Sequence, residues 1–188
     1  AAFTPMLDVA ARWGPAPLVI HGARSTARPR SALQQDTIAF IRWLLDRYVM
    51  LSPALENLPS DPPQVKVGET RAEVLEVVHE VGDPRLGICW DVGHDVAEGS
   101  TEPPPRPWLT RVRHVHLHDL NPQGVDHYPF VYGRVQPEQW LPCLLQVGFA
   151  GIVNVELKGE QLAPLWPDHL LPTLIESIRR VACVIDRA

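Results

Sequence analysis

The stretch LGICWDVGHDV, residues 86–96, ends an apolar run on a carboxylate and places a histidine three residues later. The run LGICWD has the length and composition of a buried parallel strand. In α/β sheets and barrels, active sites form at the carboxyl ends of such strands. The stretch therefore predicts that Asp91 lies at this edge, that Gly93 lets the chain turn sharply, and that His94 returns to the same edge.

Four further apolar runs alternate with helical patterns, which is typical of βαβ units in a mostly parallel sheet or barrel. The predicted strands are PLVIHG (17–22), VMLSPALEN (49–57), LGICWD (86–91), VRHVHLHD (112–119) and GIVNVEL (151–157). Apolar residues at helical spacing predict helices over 32–47, 69–81, 136–147 and 168–185. The sequence thus predicts one α/β domain over residues 1–188 with five parallel strands.

Each predicted strand has a possible metal ligand at or near its carboxyl end. These residues are His21, Glu56, Asp91, His116 and Glu156. A single residue of this kind is more often a solvated or hydrogen-bonded loop residue. Five ligand types on five strands, with no Lys or Arg among them, favour a shared site. For Asp91 and His94 the alternative is a helix N-cap followed by a loop histidine.

A second pattern lies on the strand around His116. His114, His116 and His118 alternate with Val115 and Leu117, so the three imidazoles share one face of the strand. We expect the histidine face to line the interior of a barrel and the apolar face to pack on helices. The alternative for His114 and His118 is that core hydrogen bonds satisfy their rings.

Composition limits the class of protein. The chain has 188 residues, 45% of them hydrophobic and 21% charged, which is typical of globular domains. Its net charge of -5 argues against a surface built to attract nucleic acid. Cys89, Cys143 and Cys183 lie far apart in apolar runs, as reduced core thiols do. With no apolar run near the roughly 18 residues of a membrane span, and no signal peptide, we expect a soluble cytoplasmic protein.

Together these segments resemble the xylose isomerase-like TIM barrels, a superfamily of sugar and sugar-phosphate isomerases and epimerases that also includes endonuclease IV. The matching segments are ALENLP, LGICWDVGH, HVHLHD, DHYPFVYGRV and GIVNVELKG, in an order and spacing that match through nearly the whole chain. The resemblance implies a (β/α)8 barrel in which PLVIHG is the fourth strand and GIVNVEL the eighth. Because five strands alone leave two open edges, we expect a partial barrel that belongs to a longer protein.

The resemblance also implies a metal site and a reaction. Glu56, Asp91, His116 and Glu156 would hold a divalent metal, and this donor set favours Mn²⁺, Mg²⁺ or Co²⁺, while the extra histidines keep Zn²⁺ open. Glu56 and Glu156 would also be an acid/base pair that moves a proton through an enediolate. His94 would hydrogen-bond a substrate hydroxyl.

The remaining expectations concern the substrate and partners. His21, His94, His127 and Trp90 are predicted substrate contacts. Trp90 or Trp108 would wall the pocket, and the alternative, which is the more frequent role of such tryptophans, is that both pack in the core. The partner is a small sugar or sugar phosphate, without membrane or nucleic acid. Family members often form homodimers, which is an analogy only.

An alternative within the same superfamily is an endonuclease IV-like, zinc-dependent enzyme that cleaves DNA at abasic sites. Its candidate zinc ligands would be His21, Glu56, Asp91, His94, His116, His127 and Glu156. That family places an aspartate where this chain has Val125, and the adjacent Asp126 would point elsewhere. The segment HYPFVYGRV is closer to the sugar isomerases, although Val131 and Tyr132 replace their usual Gly and Glu. A second alternative is a non-catalytic barrel that binds a metal or small ligand.

Overall fold

The computed structural model describes residues 4–12, 14 and 16–185. Its principal strands are β1 (Ala16–Ile20), β3 (Leu51–Glu56), β5 (Gly87–Asp91), β6 (Val112–Leu117) and β7 (Ile152–Val155). They form one parallel sheet in the order β1, β3, β5, β6, β7. Two short strands, β2 (Arg24–Ser25) and β4 (Val65–Lys66), pair in antiparallel fashion. The predicted α/β class and all five predicted strands are confirmed.

The described residues also form α-helices, one before the first strand and the others after strands. They are α1 (Thr4–Arg12), α2 (Arg30–Arg47), α3 (Arg71–Val81), α4 (Val92–Ala97), α5 (Arg106–Leu109), α6 (Pro137–Trp140), α7 (Pro142–Leu145), α8 (Gly159–Leu162) and α9 (Leu170–Ile185), with a 3₁₀ turn at Ala163–Leu165. Among the described helices, none is long and apolar enough to cross a membrane.

One predicted helix was wrong in detail. The helix predicted over residues 136–147 is two short helices, α6 and α7, that meet at Pro142. Proline has no backbone N–H, and its ring clashes with the carbonyl group four residues earlier, so a continuous helix cannot pass through this position.

By its internal contacts the chain divides into two compact units. The first comprises Ala1–Cys89 and Arg111–His114, and the second comprises Trp90–Thr110 and Val115–Ala188. The single domain predicted over residues 1–188 stays a prediction.

In the first unit, parallel pairing sets which strand ends are neighbours. Strand β1 pairs with β3 from Ala16 opposite Leu51 to Ile20 opposite Leu55. Strand β3 pairs with β5 up to Glu56 opposite Cys89. Because all strands of a parallel sheet run the same way, the carboxylate of Glu56 ends its strand at the edge where β5 also ends.

The core of the first unit forms where α1, α2 and β3 meet. Leu7, Leu44, Tyr48 and Leu51 are buried in one cluster, with Leu18 packed against it. Burial of such side chains stabilises a fold by about 1.5–3 kcal/mol each. This packing fixes α2 on the sheet and leaves the carboxyl ends of the strands for polar residues.

In the second unit, the rings of three tryptophans pack against one another in the core. The Trp90 ring lies 6.1 Å from that of Trp108 and 6.2 Å from that of Trp140, edge to face in both cases. Its Nε1–H donates to Asp95 Oδ2 at 2.6 Å, and its side chain is completely buried. The predicted substrate contact of Trp90 is therefore corrected: the indole is a core side chain, as the packing alternative for both Trp90 and Trp108 expected.

Candidate metal centre

Asp91 ends β5 and at the same time caps the helix that follows. Its Oδ1 accepts a hydrogen bond from the backbone N–H of His94 at 2.8 Å, which satisfies one of the unpaired donors in the first turn of α4. Its Oδ2 lies 3.3 Å from His94 Nδ1 and 3.9 Å from His116 Nδ1. The N-cap alternative is thus confirmed for one carboxylate oxygen, while the other oxygen faces two imidazoles.

His116 and Glu156 meet because β6 and β7 are neighbours. The Glu156 N–H donates to the Leu117 carbonyl oxygen at 2.9 Å, which sets Glu156 beside the end of β6. His116 Nδ1 then lies 2.6 Å from Glu156 Oε2. The Glu156 side chain is 37% exposed, whereas those of His116 and Asp91 are 9% and 0% exposed. The cluster therefore opens toward solvent on the Glu156 side.

The donor set of this cluster fits a divalent cation. One ligand atom from each of Asp91, His116 and Glu156 lies within 4.8 Å of the others. Two carboxylate oxygens and an imidazole nitrogen are ligands that Mn²⁺, Co²⁺ and Zn²⁺ accept, at about 2.0–2.2 Å each for zinc. Three of the four predicted metal ligands thus lie together in the second unit.

The fourth predicted ligand, Glu56, lies in the first unit with another predicted residue. Its side chain is 2% exposed, and its Oε2 accepts a hydrogen bond from His21 Nε2 at 3.0 Å. The His21 ring is 60% exposed, so it covers the carboxylate from the solvent side. The strand-end pattern placed both residues in a site, and the structure brings these two together.

A second group of imidazoles comes from His94, His118 and His127, of which His94 and His118 contact Asp91. One ring nitrogen from each of the three residues lies within 4.8 Å of the others, a spacing at which a shared metal ion could be bound. The rings of His118 and His127, however, stack at 4.3 Å with only 9° between their planes. Since an imidazole lone pair lies in its ring plane, two stacked parallel rings direct their lone pairs side by side and not at one point. Stacked in this way, the two rings cannot chelate one ion.

The His118 ring is buried and makes polar contacts in the core, which is close to the alternative that the sequence left open for it. Its Nε2 lies 3.1 Å from Asp91 Oδ1, and its Nδ1 accepts the His127 N–H at 3.1 Å. Burial disfavours the charged ring, but the attraction and hydrogen bond of Asp91 raise the pKa of His118 above its ordinary value. The sequence did not predict this contact.

His127 connects this core to the segment after β7. Its backbone is in the left-handed region, with φ of 62°, and its Nδ1 lies 2.8 Å from Asp126 Oδ1. Lys158 Nζ donates to the same Asp126 oxygen at 3.0 Å. The hydrogen bond with His127, and then that with Lys158, hold the pKa of Asp126 far below its usual range. On its other side, His127 Nε2 lies 3.8 Å from Glu156 Oε1.

Gly93 has a different role from the predicted one. It lies inside α4 and not in a turn, so a sharp turn is not its purpose. A Cβ atom at this position would lie 2.0 Å from His118 Cε1, much closer than a van der Waals contact allows. Glycine is present because the histidine ring occupies the place of a side chain.

Asp119 ends the segment HVHLHD, and the sequence pattern predicted no role for it. It is completely buried, and its two carboxylate oxygens accept five backbone N–H groups. The donors are Leu120, Tyr132, Gly133, Arg134 and Val135, at 2.7–3.0 Å. The segment 131–135, in which Val131 and Tyr132 depart from the isomerase pattern, is thus folded around one carboxylate. A strand-end aspartate followed by a glycine-containing loop was the available signal.

Strand-end carboxylates and imidazoles on a parallel sheet define the class of protein: a partial TIM barrel with a candidate metal centre at the carboxyl ends of its strands. The chain belongs to the xylose isomerase-like TIM barrel family, whose model matches residues 1–181. The predicted resemblance is confirmed.

Comparisons with individual proteins agree with the family. An uncharacterised protein of Methanocaldococcus jannaschii is 28% identical over 112 residues, which are 56% of this chain and 36% of that protein. A D-tagatose 3-epimerase-like protein has a similar structure, with a TM-score of 0.69 at 19% identity, over 97% of this chain and 68% of the other. The IolI protein, solved with a bound zinc atom, gives 0.58 at 18% identity, over 98% and 66%. The chain therefore spans about a third of the curated relative and about two thirds of these structures.

Replacing Gly93 with alanine should destabilise the protein, although alanine is the better helix former by about 1 kcal/mol. The added methyl group must displace the buried His118 ring, and overpacking of this kind costs about 1–3 kcal/mol. Urea unfolding measures the change. Gly159→Ala, in α8 with nothing within 4 Å of the added Cβ, is the matched control. Equal stability of the two variants would contradict this account.

Replacing Asp119 with asparagine should loosen the segment 131–135. An amide offers one acceptor oxygen and turns an NH₂ group toward backbone donors, and hydrogen bonds to charged groups contribute about 1.5–3 kcal/mol each. Hydrogen exchange of the amides at residues 132–135 should accelerate at least tenfold. Asp126→Asn is the control, because that carboxylate contacts the side chains of His127 and Lys158. Unchanged protection in the Asp119 variant would show that the carboxylate does not hold the loop.

Proposed function

We propose that the protein is a divalent-metal-dependent sugar or sugar-phosphate isomerase or epimerase that transfers a proton through an enediolate. The observation that supports it most is the convergence of Asp91, His116 and Glu156 within 4.8 Å at the ends of neighbouring strands. Two buried side chains and one that faces solvent form a site that a small substrate can approach. Among proteins of similar fold, the D-tagatose 3-epimerase-like protein supports the sugar as substrate class and the zinc-bound IolI protein supports a metal.

Glu56 is the proposed fourth ligand. It ends β3, and the resemblance to the family supports its inclusion in the ligand set. Its carboxylate is buried and accepts a hydrogen bond from His21 Nε2. Three carboxylates and one imidazole favour Mn²⁺, Mg²⁺ or Co²⁺.

The chemistry follows from these residues. A divalent ion, when bound, would polarise a carbonyl and the hydroxyl on the adjacent carbon, which makes the C–H hydrogen of that hydroxyl-bearing carbon more acidic. Glu156 removes that proton or returns it, and Glu56 serves as the second acid/base group. Oε2 of Glu156 contacts His116. We therefore assign the proton transfer to Oε1, which lies 3.8 Å from His127 Nε2. His94 and His21 hydrogen-bond substrate hydroxyl groups.

The endonuclease IV-like alternative has less support. Val125, at the position of a missing ligand, is 44% exposed. The neighbouring Asp126 contacts both His127 and Lys158, so its carboxylate already has two partners. The stacking of His118 on His127 also argues against a multinuclear cluster that would include both rings. The sugar reaction is therefore the proposal, and DNA cleavage is an outcome of its test.

Glu156→Gln should lower the metal content of the protein. The neutral amide is a weaker ligand for a divalent cation, and we expect bound Mn²⁺ to fall from near one equivalent to a small fraction of it. Elemental analysis and a Mn²⁺ titration measure the change. Glu160→Gln, an exposed change in α8, is the control and should bind as the unchanged protein does. Unaltered metal content in the Glu156 variant would remove this residue from the site.

Exchange of a substrate hydrogen with solvent is the direct test of the reaction. The protein is incubated with Mn²⁺ and a panel of ketoses and aldoses in deuterated water. At least one sugar should take up deuterium at a carbon next to its carbonyl, and removal of either glutamate should reduce turnover far more than substrate affinity. If no sugar exchanges while a duplex with an abasic site is cleaved in a zinc-dependent way, the nuclease is the right function.

A further inference from the structure

We infer that His118 is a positioning residue that fixes the carboxylate of Asp91 so that Oδ2 is presented to the metal. This inference rests on the metal site proposed above and assigns it a residue outside the ligand set. It concerns a histidine that the strand pattern had placed with the other barrel-facing imidazoles.

The hydrogen bonds of Asp91 distinguish its two oxygens. Oδ1 lies 2.8 Å from the His94 N–H donor and 3.1 Å from His118 Nε2. Oδ2 is the oxygen that faces His94 Nδ1 and His116 Nδ1. Because the His94 N–H and the His118 ring both contact Oδ1, the carboxylate is restrained from rotating, and Asp91 presents Oδ2 to the metal.

The ring of His118 is arranged to donate to this carboxylate. Its Nδ1 lies 3.1 Å from the His127 N–H donor and 3.3 Å from the Asp119 carbonyl oxygen. When Nδ1 accepts the shorter of these contacts, the ring proton lies on Nε2, the atom beside Asp91. The side chains of His118 and Asp91 are both 0% exposed. Because water does not reach the pair, no solvent molecule can take over the hydrogen bond if the imidazole is removed.

The position of the ring is itself fixed from two sides. His127 stacks on one face at 4.3 Å, and the backbone of Gly93 leaves the space in which the ring lies. Gly93 belongs to the helix that Asp91 caps. The cap that Asp91 forms, the absence of a side chain at Gly93 and the ring of His118 therefore all contribute to the position of the Asp91 carboxylate.

Hydrogen bonds from a protein to a metal ligand typically change metal affinity or activity by about 10–100-fold. A role as a ligand would have a different signature, because the imidazole itself would be required. Two amide substitutions separate these roles. Asparagine places its amide near the position of Nδ1, where it can accept the His127 N–H but cannot reach Asp91. Glutamine places an N–H near the position of Nε2, where it can still donate to Asp91.

The experiment measures the Kd for Mn²⁺ alone, by calorimetry and by electron paramagnetic resonance, for the unchanged protein, H118N and H118Q. We expect H118N to bind about 10–100-fold more weakly and H118Q to stay within about threefold of the unchanged protein. His169→Asn, at an exposed position, is the control. Thermal unfolding of the metal-free proteins shows whether each variant is folded.

Each outcome decides the inference. Binding by H118N as tight as in the unchanged protein would overturn it, and an equal loss in folded H118N and H118Q would make His118 a ligand instead. If the unchanged protein binds no Mn²⁺, the proposed metal site fails first and the inference with it. If H118N does not fold, Gly93→Ala displaces the ring without changing its chemistry and should also weaken Mn²⁺ binding. Unchanged affinity in that variant would count against the inference.

Discussion

The buried carboxylate of Asp91 is the constraint on which the rest of the candidate centre depends. A charged group with no exposure to water must be compensated by hydrogen bonds, since an unpaired buried charge is far more costly than the bonds are stabilising. The compensation comes from the first turn of α4 and from His118 on one oxygen, and from two further imidazoles near the other. These requirements bring β5, α4 and β6 into one arrangement around a single side chain.

A similar principle operates one residue after His118. The carboxylate of Asp119 replaces water for the N–H group of Leu120 and for four N–H groups of the loop at residues 132–135, so a segment without regular secondary structure is held in one conformation. That loop precedes α6 and follows His127, which stacks on His118. Two consecutive residues thus have different contacts: His118 contacts the Asp91 carboxylate, the proposed metal ligand, and Asp119 binds the backbone of the loop that follows His127.

The family resemblance identifies the scaffold, but the chemistry depends on the residues at the strand ends. A parallel sheet collects the ends of its strands at one edge, and side chains on neighbouring strands then converge although they are distant in sequence. Asp91, His116 and Glu156 illustrate this, since β5, β6 and β7 are adjacent in the sheet. The proposed sugar chemistry depends on this convergence.

The sequence by itself determined the five strands, most of the long helices, the α/β class and the ligand-type residues at the strand ends, because these follow from hydrophobic period and from the direction of a parallel sheet. The single helix predicted over residues 136–147 was wrong because the apolar periodicity continues across Pro142, and a proline at that position interrupts a helix. Tertiary structure alone decided the role of Gly93, which depends on a ring that is 25 residues away in the chain. It alone placed Trp90 in the core, joined His118 to Asp91 and wrapped residues 132–135 around Asp119. Such contacts depend on which side chains meet after packing, and no spacing within one segment records them.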